Sequence, residues 1–163
     1  MKVRDAMTAV PTICGAKTNL ATAIELMWNG DCGILPVVDG ANKVIGVITD
    51  RDIAVATGTR SLLASEIVTA DVMTGEVFAC LPDDDIHEAL EVMRKHKVRR
   101  LPIVNFQGEI AGLLSLDDIA THAEPNGNLK PELSFADLGA TFRAICGREL
   151  ELREQLAVAE AAA

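Results

Sequence analysis

The residues best suited to chemistry stand in two copies of one arrangement. Gly46-Val47-Ile48-Thr49-Asp50-Arg51-Asp52-Ile53 is matched by Gly112-Leu113-Leu114-Ser115-Leu116-Asp117-Asp118-Ile119, each position 66 residues further on. In both, a glycine precedes a hydroxyl by three residues, and an aspartate follows it by three. Two kinds of chemistry use that spacing. One is local: Ser or Thr with an acid three residues later is a capping box, each side chain satisfying an amide at a helix start. The other is recognition. A helix N-terminus offers amides and a positive dipole to phosphate, a hydroxyl can donate to the same group, and a carboxylate accepts from the vicinal hydroxyls of ribose. The glycine lets another group approach the strand backbone closely. Thr49 with Asp52, and Ser115 with Asp118, are competent to hold a phosphorylated ribose. No paired nucleophile and base, and no P-loop, accompanies them, which argues against catalysis.

Charge narrows the partners. The net charge of −9 disfavours nucleic acid, whose phosphates demand a basic face. Small anions remain open wherever cations concentrate, and residues 94–100 (Arg94-Lys95-His96-Lys97-Val98-Arg99-Arg100) carry five of the 15 basic side chains. The same run also fits a solvated helix end, where cations oppose the C-terminal dipole. Cysteines at 14, 32, 80 and 146 show no C-x-x-C spacing, so bridges are not implied. Cys14 and Cys80 occupy matching strand positions and read as small buried hydrophobes. A zinc site using His122 and Cys146 is an alternative with no local pair at ligand spacing, so no metal is assigned.

The elements that must position these groups follow from the repeat. Leu20, Ala23, Ile24 and Met27, and again Ile86, Ala89, Leu90 and Met93, form the apolar stripe of an amphipathic helix. Two short apolar runs follow in each copy, Gly33–Val38 and Val44–Ile48, then Arg99–Val104 and Ile110–Leu114. The turns Asp39-Gly40-Ala41-Asn42 and Asn105-Phe106-Gln107-Gly108 join them as β-hairpins. Pro36 and Pro102 imply that the ladder needs no amide there, or that the strand lies at an edge. Thr12-Ile13-Cys14 and Val77-Phe78-Ala79-Cys80 predict a strand before the first helix, and a helical turn is expected near Val3–Met7 and Ala70–Met73. The unit is β-α-β-β-α, so the fold class is α/β: two repeats packed by pseudo-twofold symmetry plus a C-terminal helix. One three-stranded sheet with helices on one face cannot bury both surfaces, whereas two copies can. The boundaries are 1–57 and 70–123 for the repeats, 58–69 for the connection, and 124–163 for an extension. Leu62, Leu63 and Ile67 of the connection are expected to pack back onto the pair.

At this point the chain resembles a tandem pair of CBS domains, the module named for cystathionine β-synthase. The resemblance covers about residues 1–123. It rests on Val3-Arg4-Asp5-Ala6-Met7-Thr8, Leu35-Pro36-Val37-Val38-Asp39, Gly46–Asp52 and their second-copy equivalents. It implies a clefted module that binds adenosyl ligands of the AMP, ADP, ATP, NAD or S-adenosylmethionine class. Carried across by position, it implies that Asp52 and Asp118 hold ribose hydroxyls, with Thr49 and Ser115 on ribose or the first phosphate. Backbone at Ile13-Cys14 and Ala79-Cys80, with Ile34-Leu35-Pro36 and Arg100-Leu101-Pro102, would sandwich the base. Arg51, Lys97, Arg99 and Arg100 are the cations assigned to phosphates. Leu116-Asp117 replaces Asp50-Arg51 in the second copy, leaving that helix entrance more acidic.

Glu124-Pro125-Asn126-Gly127-Asn128 reads as a linker. Ser134 with Asp137 then caps a helix whose seam is Phe135, Leu138, Phe142, Ile145, Leu152 and Leu156. Gly139 and Gly147 predict either a break or a helix held by packing. That helix docks on its own module or pairs in a homodimer, and the alanine-rich 157–163 is expected to fray. No apolar run approaches the roughly 20 residues of a membrane span. The N-terminus also lacks the apolar stretch of a signal peptide, so no membrane partner and a cytoplasmic location are expected. The leading expectation is a non-catalytic, cytoplasmic regulatory module. It needs no cofactor, takes an adenine nucleotide as regulatory ligand, and signals through a homodimer or an unknown protein partner. The alternative is a zinc- or redox-linked structural protein whose nucleotide sites are vestigial.

Overall fold

Helix starts are set by short polar caps. The computed structural model describes residues 1–123 and 132–147. In it, Asn19 accepts the Thr22 amide to open α1 (Leu20–Asn29). β1 (Cys14–Gly15) precedes α1; the hairpin β2 (Ile34–Val38) and β3 (Val44–Thr49) follows, and α2 (Asp50–Thr59) closes the first copy. The second copy holds α3 (Ile86–His96), β4 (Arg100–Val104), β5 (Ile110–Ser115) and α4 (Leu116–His122). Residues 135–147 form a further helix, α5. Short 3-10 turns occupy Val3–Asp5, Ala64–Glu66 and Thr69–Asp71. In both hairpin turns one side-chain oxygen, Asp39 Oδ1 or Asn105 Oδ1, accepts two amides at 2.9 Å.

The first sheet runs β1-β2-β3, with β1 parallel and β3 antiparallel to β2. The second sheet contains β4 and β5 alone. The strand expected at Val77–Cys80 contracts to one parallel bridge, Cys80 opposite Ile103. Proline keeps the pairing from extending past Cys80. Cys80 donates to the Pro102 carbonyl and accepts from the Val104 amide, so the next parallel bond would be donated by residue 82, which is Pro82 and has no N–H. The prolines within β2 and β4 follow the first of the two readings offered for them. The Pro102 carbonyl faces Cys80, so its nitrogen faces the same side, just before the bridge, where no ladder partner is needed.

Contacts divide the chain into two compact units: Met1–Met7, Asp83–Leu101 and Leu114 onward form the first, Thr8–Pro82 and Pro102–Leu113 the second. This partition cuts across the repeats because lead segments are exchanged between them. Within the first unit, Met1 accepts the Ile86 amide and Val3 donates to Asp84, beside the start of α3. Within the second, Ile67 accepts the Leu20 amide and Thr69 donates to Thr18, beside the start of α1. Each copy's leader thus docks on the other copy's first helix.

Burial follows the predicted stripes with three corrections. Ile86, Ala89, Leu90 and Met93 of α3 are fully buried. On α1, Leu20, Ala23 and Met27 are buried, but Ile24 is 43% exposed, because the packed face turns toward Leu26 instead. Ile67 joins the core of Cys14, Leu35, Val37, Ile48 and Ile53, whereas Leu62 and Leu63 face solvent ahead of the Ala64–Glu66 turn. On α5 the expected seam is rotated: Thr141 and Ile145 are buried, Leu138 is half-buried, and Phe135 and Phe142 lie half exposed on the flank. Polar bonds to α3 choose that face, a turn of one residue being about 100°. The helix continues through Gly139 without a break. The expected linker at 124–128, the seam residues Leu152 and Leu156, and 157–163 lie outside the described residues. No helix among the described residues is long and apolar enough to cross a membrane.

Candidate functional site

The first-copy candidates lie wholly in the second unit. Hydrogen bonding across the sheet brings Cys14 opposite Val37 and Ile34 opposite Thr49, so one sheet end carries Ile13, Ile34 and the β3–α2 junction. Cys14 and Leu35 put their side chains into the apolar core, and Pro36 is buried beside them. Burial pushes the Cys14 thiol up, against a hydrogen bond from the Thr69 side chain that lowers it. Cys14 is therefore a packing residue, as expected.

At the junction the capping box is made in full. Asp52 Oδ2 accepts the Thr49 amide at 2.9 Å and the Thr49 hydroxyl at 2.7 Å. Thr49 Oγ1 in turn accepts the Asp52 amide at 3.2 Å. The second copy repeats this in the first unit, with Ser115 and Asp118 at 2.9, 2.7 and 3.0 Å. Local chemistry thus claims the motif in both copies. It claims one oxygen of each carboxylate: every described bond falls on Oδ2, and Oδ1 takes none. Capping and ribose recognition are therefore compatible at one aspartate.

Gly46 admits another group close to the strand backbone, as expected. A Cβ there would stand 2.8 Å from Met73 Sδ and 2.9 Å from the Thr74 carbonyl. The group that approaches the strand so closely is the second copy's leader, held by reciprocal Val47–Thr74 backbone bonds, rather than a ligand.

Of the four assigned cations, Arg51 is the one beside the first-copy pair. Arg51 and Asp52 line a cavity of about 260 Å³ with Thr59, Arg60, Asp71 and Val72. Arg60 donates to the Asp71 carbonyl at 2.9 Å and is the cation that sequence reading missed. It stands eight residues after Asp52, about two turns along the same helix face, and that spacing was available as a signal.

In the first unit, Arg100 faces Asp117 at 4.0 Å. The Arg99 carbonyl accepts the Leu116 amide at 3.0 Å, so Arg99 adjoins the Ser115–Asp118 pair through main chain. Its guanidinium lies over the Phe142 ring, 5.4 Å from the centroid. Lys97 holds a left-handed C-cap at φ 56° and donates to the Ala144 carbonyl. These two cations are engaged by α5. Leu101 is buried in the first unit; Ala79, Cys80 and the buried Pro102 belong to the second.

The His122 ring meets the Asp118 carbonyl and the Thr121 hydroxyl. No group of three or more His, Cys, Asp or Glu residues suited to a metal stands together among the described residues, and no cysteine is in a disulfide.

Comparison with known proteins gives this geometry its family. The CBS domain model matches residues 3–57 and 68–124. The CBS domain-containing protein YhcV of Bacillus subtilis is 33% identical over 76% of this chain and 86% of its own. The crystal structure of Hypoxic Response Protein I with two coordinated zinc ions is 28% identical, with TM-score 0.69 over 76% of this chain and 100% of that one. That of CBSX2 in complex with AMP is 26% identical, with TM-score 0.65 over 74% and 93%. Longer relatives match as well: the chain spans 24% of inosine-5'-monophosphate dehydrogenase from Nitrosopumilus maritimus, at 30% identity over 72% of this chain. With both copies matched by one family model, the chain belongs to the CBS-domain family as a tandem pair.

Proposed function

We propose that this CBS pair is a non-catalytic sensor of an adenosyl nucleotide of the AMP, ADP, ATP, NAD or S-adenosylmethionine class. It passes the signal to a protein partner or through a homodimer. The observation that carries the reading is the half-committed carboxylate: Asp52 spends Oδ2 on its cap, leaves Oδ1 out of it, and lines one cavity with Arg51 and Arg60. A carboxylate oxygen accepts from a sugar hydroxyl, and guanidinium groups match phosphate. Likeness to CBSX2, whose structure is a complex with AMP, supports the ligand class. Ser115 with Asp118 is the second such pair. The signal arises because a ligand shifts an equilibrium only by its differential affinity for two arrangements.

A thermal-shift panel of the five ligands tests this. A ligand at about 100 times its Kd stabilises by roughly 2.7 kcal/mol, which raises Tm by about 5–10 °C for a chain of this size. If none of the five raises Tm, and calorimetry detects no binding, the sensor reading is wrong.

A further inference from the structure

We infer that α5 is a displaceable latch on the second copy's cations, which a ligand's phosphate chain competes to remove. The inference rests on the nucleotide reading above and adds to it a regulated element. All the contacts lie within the first unit. Three consecutive bonds tie α5 to the end of α3 and the residues after it. The Arg94 guanidinium donates to Thr141 Oγ1 at 3.2 Å, Lys97 Nζ to the Ala144 carbonyl, and Arg99 stacks on Phe142. Asp137 near His87 marks the other end of the contact, so α5 runs alongside α3 in the same direction.

The partners α5 offers these cations are neutral: a hydroxyl, a carbonyl and an aromatic face. A phosphate oxygen carries the opposite charge, so it adds an ion-pair attraction to the cation that a neutral hydroxyl or carbonyl does not. Lys97 and Arg99 therefore favour a phosphate chain over α5 once one is held nearby. Arg99 is placed for the exchange, since its carbonyl binds the residue next to Ser115. The latch is seated by the buried Leu133, Thr141 and Ile145, yet its cation contact is exposed, Phe142 being 52% accessible. Ligand binding and latch release are then linked reciprocally: whatever strengthens the latch weakens ligand binding by the same factor.

Two exposed positions give tests of opposite sign in the full-length chain. Phe142→Ala removes the aromatic face under Arg99 and should tighten ATP binding about two- to five-fold, the worth of an exposed cation–π contact. Gly139 lies within α5, with nothing within 4 Å of an added Cβ. Gly139→Ala should stiffen the latch and weaken ATP binding by up to about five-fold. Saturating ATP should also speed amide exchange across 135–147 in the wild type. If ATP binds all three proteins equally, or if exchange across 135–147 is unchanged or slowed, the latch is wrong and the sensor stands. If ATP binds none of them while another nucleotide of the panel binds, the phosphate-chain competition is wrong. If no nucleotide binds, both readings fall.

Discussion

Replacing Asp52 with asparagine separates its cap from the ribose role proposed for it, because only one of its oxygens is spent on the cap. Asn keeps a carbonyl oxygen to accept the Thr49 amide and hydroxyl, now 2.9 and 2.7 Å from Oδ2, and puts an NH₂ group where Oδ1 stood. The cap should survive to within a few tenths of a kcal/mol. Asp52→Ala loses it, at a cost of about 1 kcal/mol, or roughly 2–4 °C in Tm. Ribose recognition behaves differently. An amide NH₂ cannot accept from a sugar hydroxyl, and a hydrogen bond to a charged group is worth about 1.5–3 kcal/mol. Asp52→Asn should therefore weaken the tightest ligand of the panel by about 10- to 150-fold while leaving Tm of the ligand-free protein nearly unchanged. Calorimetric titration with parallel thermal melts reads both. Wild-type affinity in the Asn variant would refute the ribose role and leave Asp52 as a helix cap.

Other consequences are open to simple measurement. Gly46→Ala drives a methyl into Met73 and Thr74 and should cost about 1–3 kcal/mol, so a urea midpoint equal to wild type would contradict the close approach. Ile67→Ala empties a fully buried site in the exchanged leader and should cost about 2–5 kcal/mol; a loss below 1 kcal/mol in the same melt would show that the leader is not docked there. Acid should release both α3 and α5 caps. The Asp85 carboxyl is lowered chiefly by the His87 amide and then its ring, and the Asp137 carboxyl by the Ser134 hydroxyl and then its amide. Because folding lowers both pKa values, their stabilisation is present above the ordinary carboxyl value of about 4 and is lost as pH falls below it. Helical circular dichroism that stays flat from pH 5 to pH 2 would contradict those caps.

Local pattern was enough for much of this protein, because short-range forces set it. The i, i+3, i+4 stripe on α3, the hairpin turns at Asp39 and Asn105, and the caps at Thr49, Ser115 and Ser134 each depend on residues within a few positions. A single missing amide at Pro82 keeps one pairing from extending past Cys80. The constant 66-residue offset made the duplication legible before any coordinate was known.

What tertiary structure alone decided was which distant groups meet. The leaders Met1–Asp5 and Ile67–Asp71 dock on the opposite copy's helix, a choice that two helix starts at equivalent repeat positions leave open until the chain is closed. Lys97, Arg99 and Arg100 of the basic run read as phosphate ligands, yet Lys97 and Arg99 are held by a helix more than 40 residues away in sequence. Arg60's spacing from Asp52 was legible, but its bond to the Asp71 carbonyl was decided only by packing α2 against that turn. A side chain's local partners follow from backbone geometry a few residues long; its distant partners follow from how whole faces bury, and that is settled by the sum of all of them.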